Sequence, residues 1–154
     1  MKYVMVCLGN ICRSPLAAGI LKSKLKEIGS DSIVESRGFE PYHNGDTADF
    51  RAKRVAEKNG IDISSHRAQL FRADDFDNFD QIFVMDRNNY SDVASMSRNE
   101  KDMEKVEFIM NMSRPGTDTV VPDPYYGIDE GFSKVFEMLS EAADAIIEKY
   151  EKKK

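Results

Sequence analysis

The 154-residue chain has no tryptophan, only two cysteines and two histidines, and no apolar stretch longer than the six residues from Tyr3 to Leu8. Each scarcity excludes something. A membrane-spanning helix needs about 20 apolar residues. The stretch after Lys2 is also too short for the core of a secretory signal and lacks its cleavage pattern. The expectation is a cytoplasmic protein with no membrane partner. Cys7 and Cys12 lie close together instead of being spread as a disulfide framework would require, which points to a reducing compartment. They do not combine with His43 and His66 at zinc-ligand spacing, so neither metal nor cofactor is expected. There is no basic stripe outside the lysine-rich tail and the net charge is -5, which argues against a nucleic-acid partner. No repeat, low-complexity segment or linker interrupts residues 1–154, which read as one domain, long enough to bury a core without staples.

What is present is concentrated near the start. The apolar run Tyr3-Val4-Met5-Val6 leads into Cys7-Leu8-Gly9-Asn10-Ile11-Cys12-Arg13-Ser14-Pro15, and a helical pattern leads out of it. A thiol and a guanidinium are separated by five residues, with glycine between them and Ser14-Pro15 opening the helix. That spacing lets the backbone curl until several N–H groups converge on one centre, with Arg13 and the helix dipole aimed at it. The result is a cradle for a dianion above a sulfur. Converging amides, the helix N-terminus and Arg13 each favour thiolate over thiol, so Cys7 is expected to be nucleophilic. Arg13 has the planar fork that holds two phosphoryl oxygens. The loop lacks the Gly-Lys-Ser/Thr ending of a nucleotide-binding loop.

Strand-like runs at Ile33–Ser36, Gln81–Met85 and Val106–Met110 follow, separated by helical patterns. The first helix ends at Gly29, a second is capped by Asp46 or Thr47 and closed by Asn59-Gly60, and the last carries a stripe from Phe132 to Tyr150. The acids Asp74, Asp75, Asp77 and Asp80 match no calcium-loop spacing and read as a solvated capping turn. Alternating strands and helices predict an α/β fold: a doubly wound four-stranded parallel sheet, order 2-1-3-4, with helices on both faces in a flavodoxin-like three-layer sandwich. The end of the first strand is then the topological switch point, where ligands bind.

A proton donor for a leaving alkoxide or phenoxide is available in Val121-Pro122-Asp123-Pro124-Tyr125-Tyr126-Gly127, where two prolines stiffen the chain around one carboxylic acid. Pro-Asp-Pro alone is an ordinary turn; its value comes from the thiol–arginine loop.

On VCLGNICRSP at 6–15 and DPYYG at 123–127, the chain resembles the low-molecular-weight protein tyrosine phosphatases. Ser36, the Tyr42 loop, Ser65-His66 and Met85-Asp86 extend the likeness. The resemblance implies hydrolysis of phosphotyrosine monoesters in a protein or peptide, with inorganic phosphate as product; a monomer is expected. It implies Cys7 as the nucleophile that forms a phosphocysteine, Arg13 as the binder of phosphoryl oxygens and Asp123 as acid then base. Leu8, Gly9, Asn10, Ile11, Cys12, Arg13 and Ser14 form the phosphate-binding loop, with Ser14 donating to the Cys7 sulfur. Ser36 and His66 support the strained turn at Asn10. Tyr42, Tyr125 and Tyr126, with Leu8 and Ile11, wall a slot for a flat ring. Gln69 stands where the family commonly has Arg. Cys12 is either a redox partner that forms a disulfide with Cys7 or a small apolar loop residue.

The rivals are a protein-arginine phosphatase on the same scaffold, disfavoured by Ile11 and by Tyr125-Tyr126, and an arsenate reductase, disfavoured by the shortage of thiols. A non-catalytic phosphate-binding module of flavodoxin type leaves Cys7 and Asp123 without a role.

Overall fold

Tyr3, Val4, Met5 and Val6 are all completely buried, and the rest of the chain is laid down around them. In the computed structural model, which describes residues 1–125 and 129–152, they belong to strand β1 (Lys2–Val6) at the centre of a parallel sheet. β1 pairs with β2 (Ile33–Arg37) on one side and β3 (Gln81–Val84) on the other, and β3 pairs with β4 (Val106–Phe108). The order is therefore β2-β1-β3-β4, as the alternation of patterns requires. Side chains alternate across the strand. Tyr3 and Met5 face one core, with α1 (Arg13–Glu27), α2 (Phe50–Lys58) and α6 (Asp129–Ile146). Val4 and Val6 face a second core with Phe76 of α3 (Asp75–Asn78) and Val93 of α4 (Arg87–Met96), and Met103 of α5 (Glu100–Glu104) packs against it. Burial on both faces is why the central strands read as unbroken apolar runs.

Helix α1 ends as its glycine predicts: Gly29 takes φ 67° and Ser30 N–H donates to Leu25 O at 3.0 Å. The second helix starts later than the expected caps at Asp46 or Thr47. Gly45 N–H donates to Ala68 O and Asp46 O accepts from Ala68 N–H, each at 2.8 Å. Those bonds engage the backbone at 45–46, and Asp49 becomes the cap, accepting from Arg51 N–H at 2.8 Å. The fourth strand stops at Phe108, and Ile109–Met112 turn into a 3₁₀ helix. Helix α5 was not anticipated; its signal is Asn99, whose side chain accepts from Asp102 N–H at 3.0 Å. The acidic stretch is less solvated than expected. Asp75 is buried beside Arg37, Asp77 meets Arg98, and Asp80 accepts from Lys2 N–H. Beyond α6 the chain forms a π turn (Ile147–Glu151). There Glu151 accepts from the hydroxyls of Tyr3 (2.6 Å), Ser30 (2.6 Å) and Ser32 (2.8 Å), fastening the C-terminal end to the start of the sheet. Among the described residues no helix is long and apolar enough to cross a membrane.

Gly19 sits inside α1 where a Cβ would lie 2.5 Å from Ile63 Cγ2 and 3.3 Å from Ile61 Cγ2. Helix propensity favours Ala over Gly by about 1 kcal/mol, whereas overpacking costs roughly 1–3 kcal/mol. The clash wins, and Gly19→Ala is expected to lower unfolding free energy in urea by about 1 kcal/mol; a stabilised variant would show that α1 and the 61–63 segment are not in tight contact.

Candidate active site

The segment between β1 and α1 turns on Asn10, which adopts a left-handed φ of 56°. Asparagine tolerates that region better than other side-chain-bearing residues because it hydrogen-bonds locally. Here its amide nitrogen donates to Ser14 Oγ at 2.7 Å, and its amide oxygen accepts from Gln69 N–H at 2.8 Å. Its own carbonyl accepts from His66 Nε2 at 2.7 Å, which fixes the proton on that ring nitrogen. Other loop carbonyls are also engaged from outside: Leu8 O by Phe39 N–H at 2.7 Å and Ile11 O by Asp49 N–H at 2.8 Å. In a trans peptide the C=O and N–H point oppositely, so outward carbonyls turn the loop's N–H groups inward. Gly38 makes the close approach possible, since a Cβ there would come within 2.8 Å of Asn10 Cβ and 2.9 Å of Leu8 O.

Cys7 lies at the floor, 3% exposed. Its sulfur accepts from Ser14 N–H at 3.4 Å and lies 3.0 Å from Ser14 Oγ. Because Asn10 already donates to that hydroxyl oxygen, the hydroxyl proton is available to the sulfur. Cys12, one residue before α1, is buried; burial pushes its thiol above the ordinary range, and Asp49 and Cys7 act in the same direction.

Arg13 is among the largest fully buried side chains. Its Nη1 donates to Asp86 Oδ2 at 2.6 Å and to Val121 O at 2.9 Å, and its Nη2 is 3.6 Å from Asp123 Oδ2. Burial works against its charge, but Cys7, Asp86 and Asp123 outweigh it and hold the guanidinium protonated. Asp86 is the residue that sequence reasoning left without a role. It also caps α4, accepting from Asn89 N–H at 2.8 Å, so its orientation is set by a helix. The available signal was its place at the carboxyl end of β3, beside the switch point.

A cleft of about 110 Å³ opens above the sulfur, lined by the loop together with Glu40, Tyr42, His43, Asp123 and Tyr125. Tyr42 is 72% exposed and donates to Glu40, while the ring of His43 stands edge-on to Tyr125. Glu40 and His43 were not expected at the cleft. Tyr126 lies outside the described residues. Ser36 is buried on β2, but among the described residues its hydroxyl is not part of the Asn10 network; the Gln69 amide makes the contact from that side. A larger hollow of about 880 Å³ lies elsewhere, beside α2, and includes none of Cys7, Arg13 and Asp123.

Burial holds His66 below its ordinary value of 6.5, its bond to Asn10 O opposing the shift only in part. The folded state therefore resists a proton that the unfolded chain accepts, and this contribution to stability is present above pH 6.5 and lost as pH falls below it. His66→Gln, which keeps a donor for Asn10 O, is expected to show a shallower loss of stability between pH 7 and pH 5 in urea titrations. Parallel curves for the two proteins would remove His66 as the source.

The family model described as low molecular weight phosphotyrosine protein phosphatase matches residues 2–154. A putative low molecular weight protein-tyrosine-phosphatase of Synechocystis is 36% identical over 149 residues, 96% of this chain and 94% of its own. The human low molecular weight phosphotyrosine protein phosphatase is 31% identical, covering 95% of this chain and 93% of its own. A crystal structure of a protein tyrosine phosphatase from Entamoeba histolytica, with Hepes in the active site, superposes with a TM-score of 0.90 at 35% identity, covering 97% of this chain and 96% of its own.

Proposed function

The chain belongs to the low molecular weight phosphotyrosine protein phosphatase family, and from that premise we propose that it hydrolyses phosphotyrosine monoesters in protein or peptide substrates through a phosphocysteine intermediate. The observation that carries the reading is the sulfur of Cys7, which accepts from Ser14 N–H at the N-terminus of α1 at the floor of a cleft that Arg13 and Asp123 both line.

In the first step the Cys7 sulfur attacks phosphorus. The S–P bond forms as the P–O bond to the tyrosine breaks, and Asp123 transfers its proton to the departing phenolate. The loop N–H groups and Arg13 hold the equatorial oxygens, where charge accumulates. In the second step Asp123 takes a proton from water, whose oxygen attacks phosphorus; the S–P bond breaks and inorganic phosphate leaves. Ser14 Oγ donates to the sulfur as it becomes a thiolate again. Asn10 and His66 keep the loop curled throughout, and Leu8, Ile11, Tyr42 and Tyr125 flank the ring of the substrate.

Replacing the nucleophile tests the chemistry. Cys7→Ser is expected to lose turnover of phenyl phosphate by on the order of 10³-fold or more in the presence of chelator. The parent is expected to prefer phosphotyrosine over phosphoserine and phosphoarginine peptides. Near-normal turnover by Cys7→Ser would end the mechanism, and a preference for phosphoarginine would replace the substrate.

We assign Cys12 as the redox partner. Peroxide oxidises Cys7 to a sulfenic acid, and the Cys12 sulfur displaces its hydroxyl as water to give a disulfide that thiols reduce. Peroxide inactivation is then expected to become irreversible in Cys12→Ser, measured as activity recovered after dithiothreitol; full recovery would leave Cys12 as packing alone.

A further inference from the structure

We propose that Arg51, cradled by Asp49, is a positioning residue for the acid: it holds the Tyr125 peptide and through it aims Asp123 at the leaving group. This rests on the reading of Asp123 as the proton donor.

The contacts form a closed circuit. Asp49 N–H donates to Ile11 O of the phosphate loop at 2.8 Å. The Asp49 carboxylate accepts from Arg51 N–H at 2.8 Å, the bond that caps α2, and from Arg51 Nε at 3.2 Å and Nη2 at 3.4 Å. Arg51 Nη2 then donates to Tyr125 O at 2.5 Å. Tyr125 N–H donates to Asp123 Oδ1 at 3.0 Å, and Asp123 Oδ2 is 3.6 Å from Arg13 Nη2. The Arg51 guanidinium carbon is 4.7 Å from the Phe132 ring centre on α6 and 5.8 Å from that of Tyr125.

The residue types suit the task. A planar fork can meet a carboxylate along one edge, a carbonyl at another corner and aromatic rings with its faces, which an ammonium cannot do. Among the described residues Asp123 is otherwise loosely held. Its side chain is 36% exposed, and its contact with Arg13 is long beside the 2.6 Å bond from Arg13 to Asp86. A carboxyl group held at one oxygen by its own loop is aimed only as well as that loop is held, and Arg51 holds Tyr125 O from outside the loop. General acid catalysis depends on such placement.

The test compares kcat/KM for phenyl phosphate, whose leaving group needs a proton, with that for p-nitrophenyl phosphate, whose leaving group needs little help. Arg51→Met is expected to lose about tenfold on phenyl phosphate, a part of the roughly 10²- to 10⁴-fold that a general acid supplies, and several times less on p-nitrophenyl phosphate. Arg51→Lys should recover little of the loss. Asp49→Asn, which keeps the cap of α2 but removes the charge behind Arg51, should lose in the same sense and serves if Arg51→Met fails to fold. In an Asp123→Ala background, Arg51→Met should add nothing on phenyl phosphate. Equal losses on both substrates in the Arg51 and Asp49 variants, beside a leaving-group-dependent loss in Asp123→Ala, would overturn the clamp alone. A loss in Asp123→Ala that does not depend on the leaving group would overturn the acid, and the clamp with it.

Discussion

A guanidinium with almost no solvent exposure is the constraint from which the site follows. Arg13 is 2% exposed, and a buried charge is tolerated only with partners that replace water. Three parts of the chain supply them: Asp86 at the end of β3, Val121 O in the segment ahead of Pro122, and Asp123 beyond it. Each partner is brought in by the sheet order, because β1 lies beside β3 and Val121 N–H donates to Met85 O at 2.8 Å. The charge therefore couples the loop after β1, the strand beside it and the acid-bearing segment into one unit.

The two carboxylates around Arg13 divide their work by geometry. Asp86 is short-bonded, 19% exposed and committed at its other oxygen to the first turn of α4, so it is a fixed counter-charge. Asp123 is farther away and more exposed, the placement that the proposed proton donor requires. In a chain of net charge -5 the attraction for an anion is thus local: buried N–H groups and one cation in a cleft, with one of the nearby acids already neutralised by that cation.

The stretch from Cys7 to Ser14 was legible because its chemistry is local: a thiol, a guanidinium, a turn-tolerant asparagine and a helix start lie within one loop. The sheet order was legible for a similar reason, since parallel strands buried on both faces leave apolar runs that helical patterns separate. What stayed hidden depends on long-range contacts. Asp86 and Val121 meet Arg13 across 73 and 108 residues, and no periodicity records such a meeting. Gln69 stands where the family commonly has Arg, yet its contact with Asn10 is made by the backbone amide, which does not depend on the side chain. The start of α2 was misplaced because pairing between Gly45-Asp46 and Ala68 outweighs the local capping preference of Asp46 and Thr47.

Helix α1 begins after Cys12, which makes no side-chain capping bond, and it has no acidic residue in its first turn. In most helices such an end is finished by a serine or aspartate within the chain. In the proposed mechanism the phosphoryl group completes it, so that substrate and product also act as the helix's cap. Ligation and folding are then one linked equilibrium: each tenfold rise in phosphate above its dissociation constant adds about 1.4 kcal/mol to the stability of the domain. On that mechanism the same open end makes the resistance of the protein to unfolding a gauge of how much phosphate surrounds it.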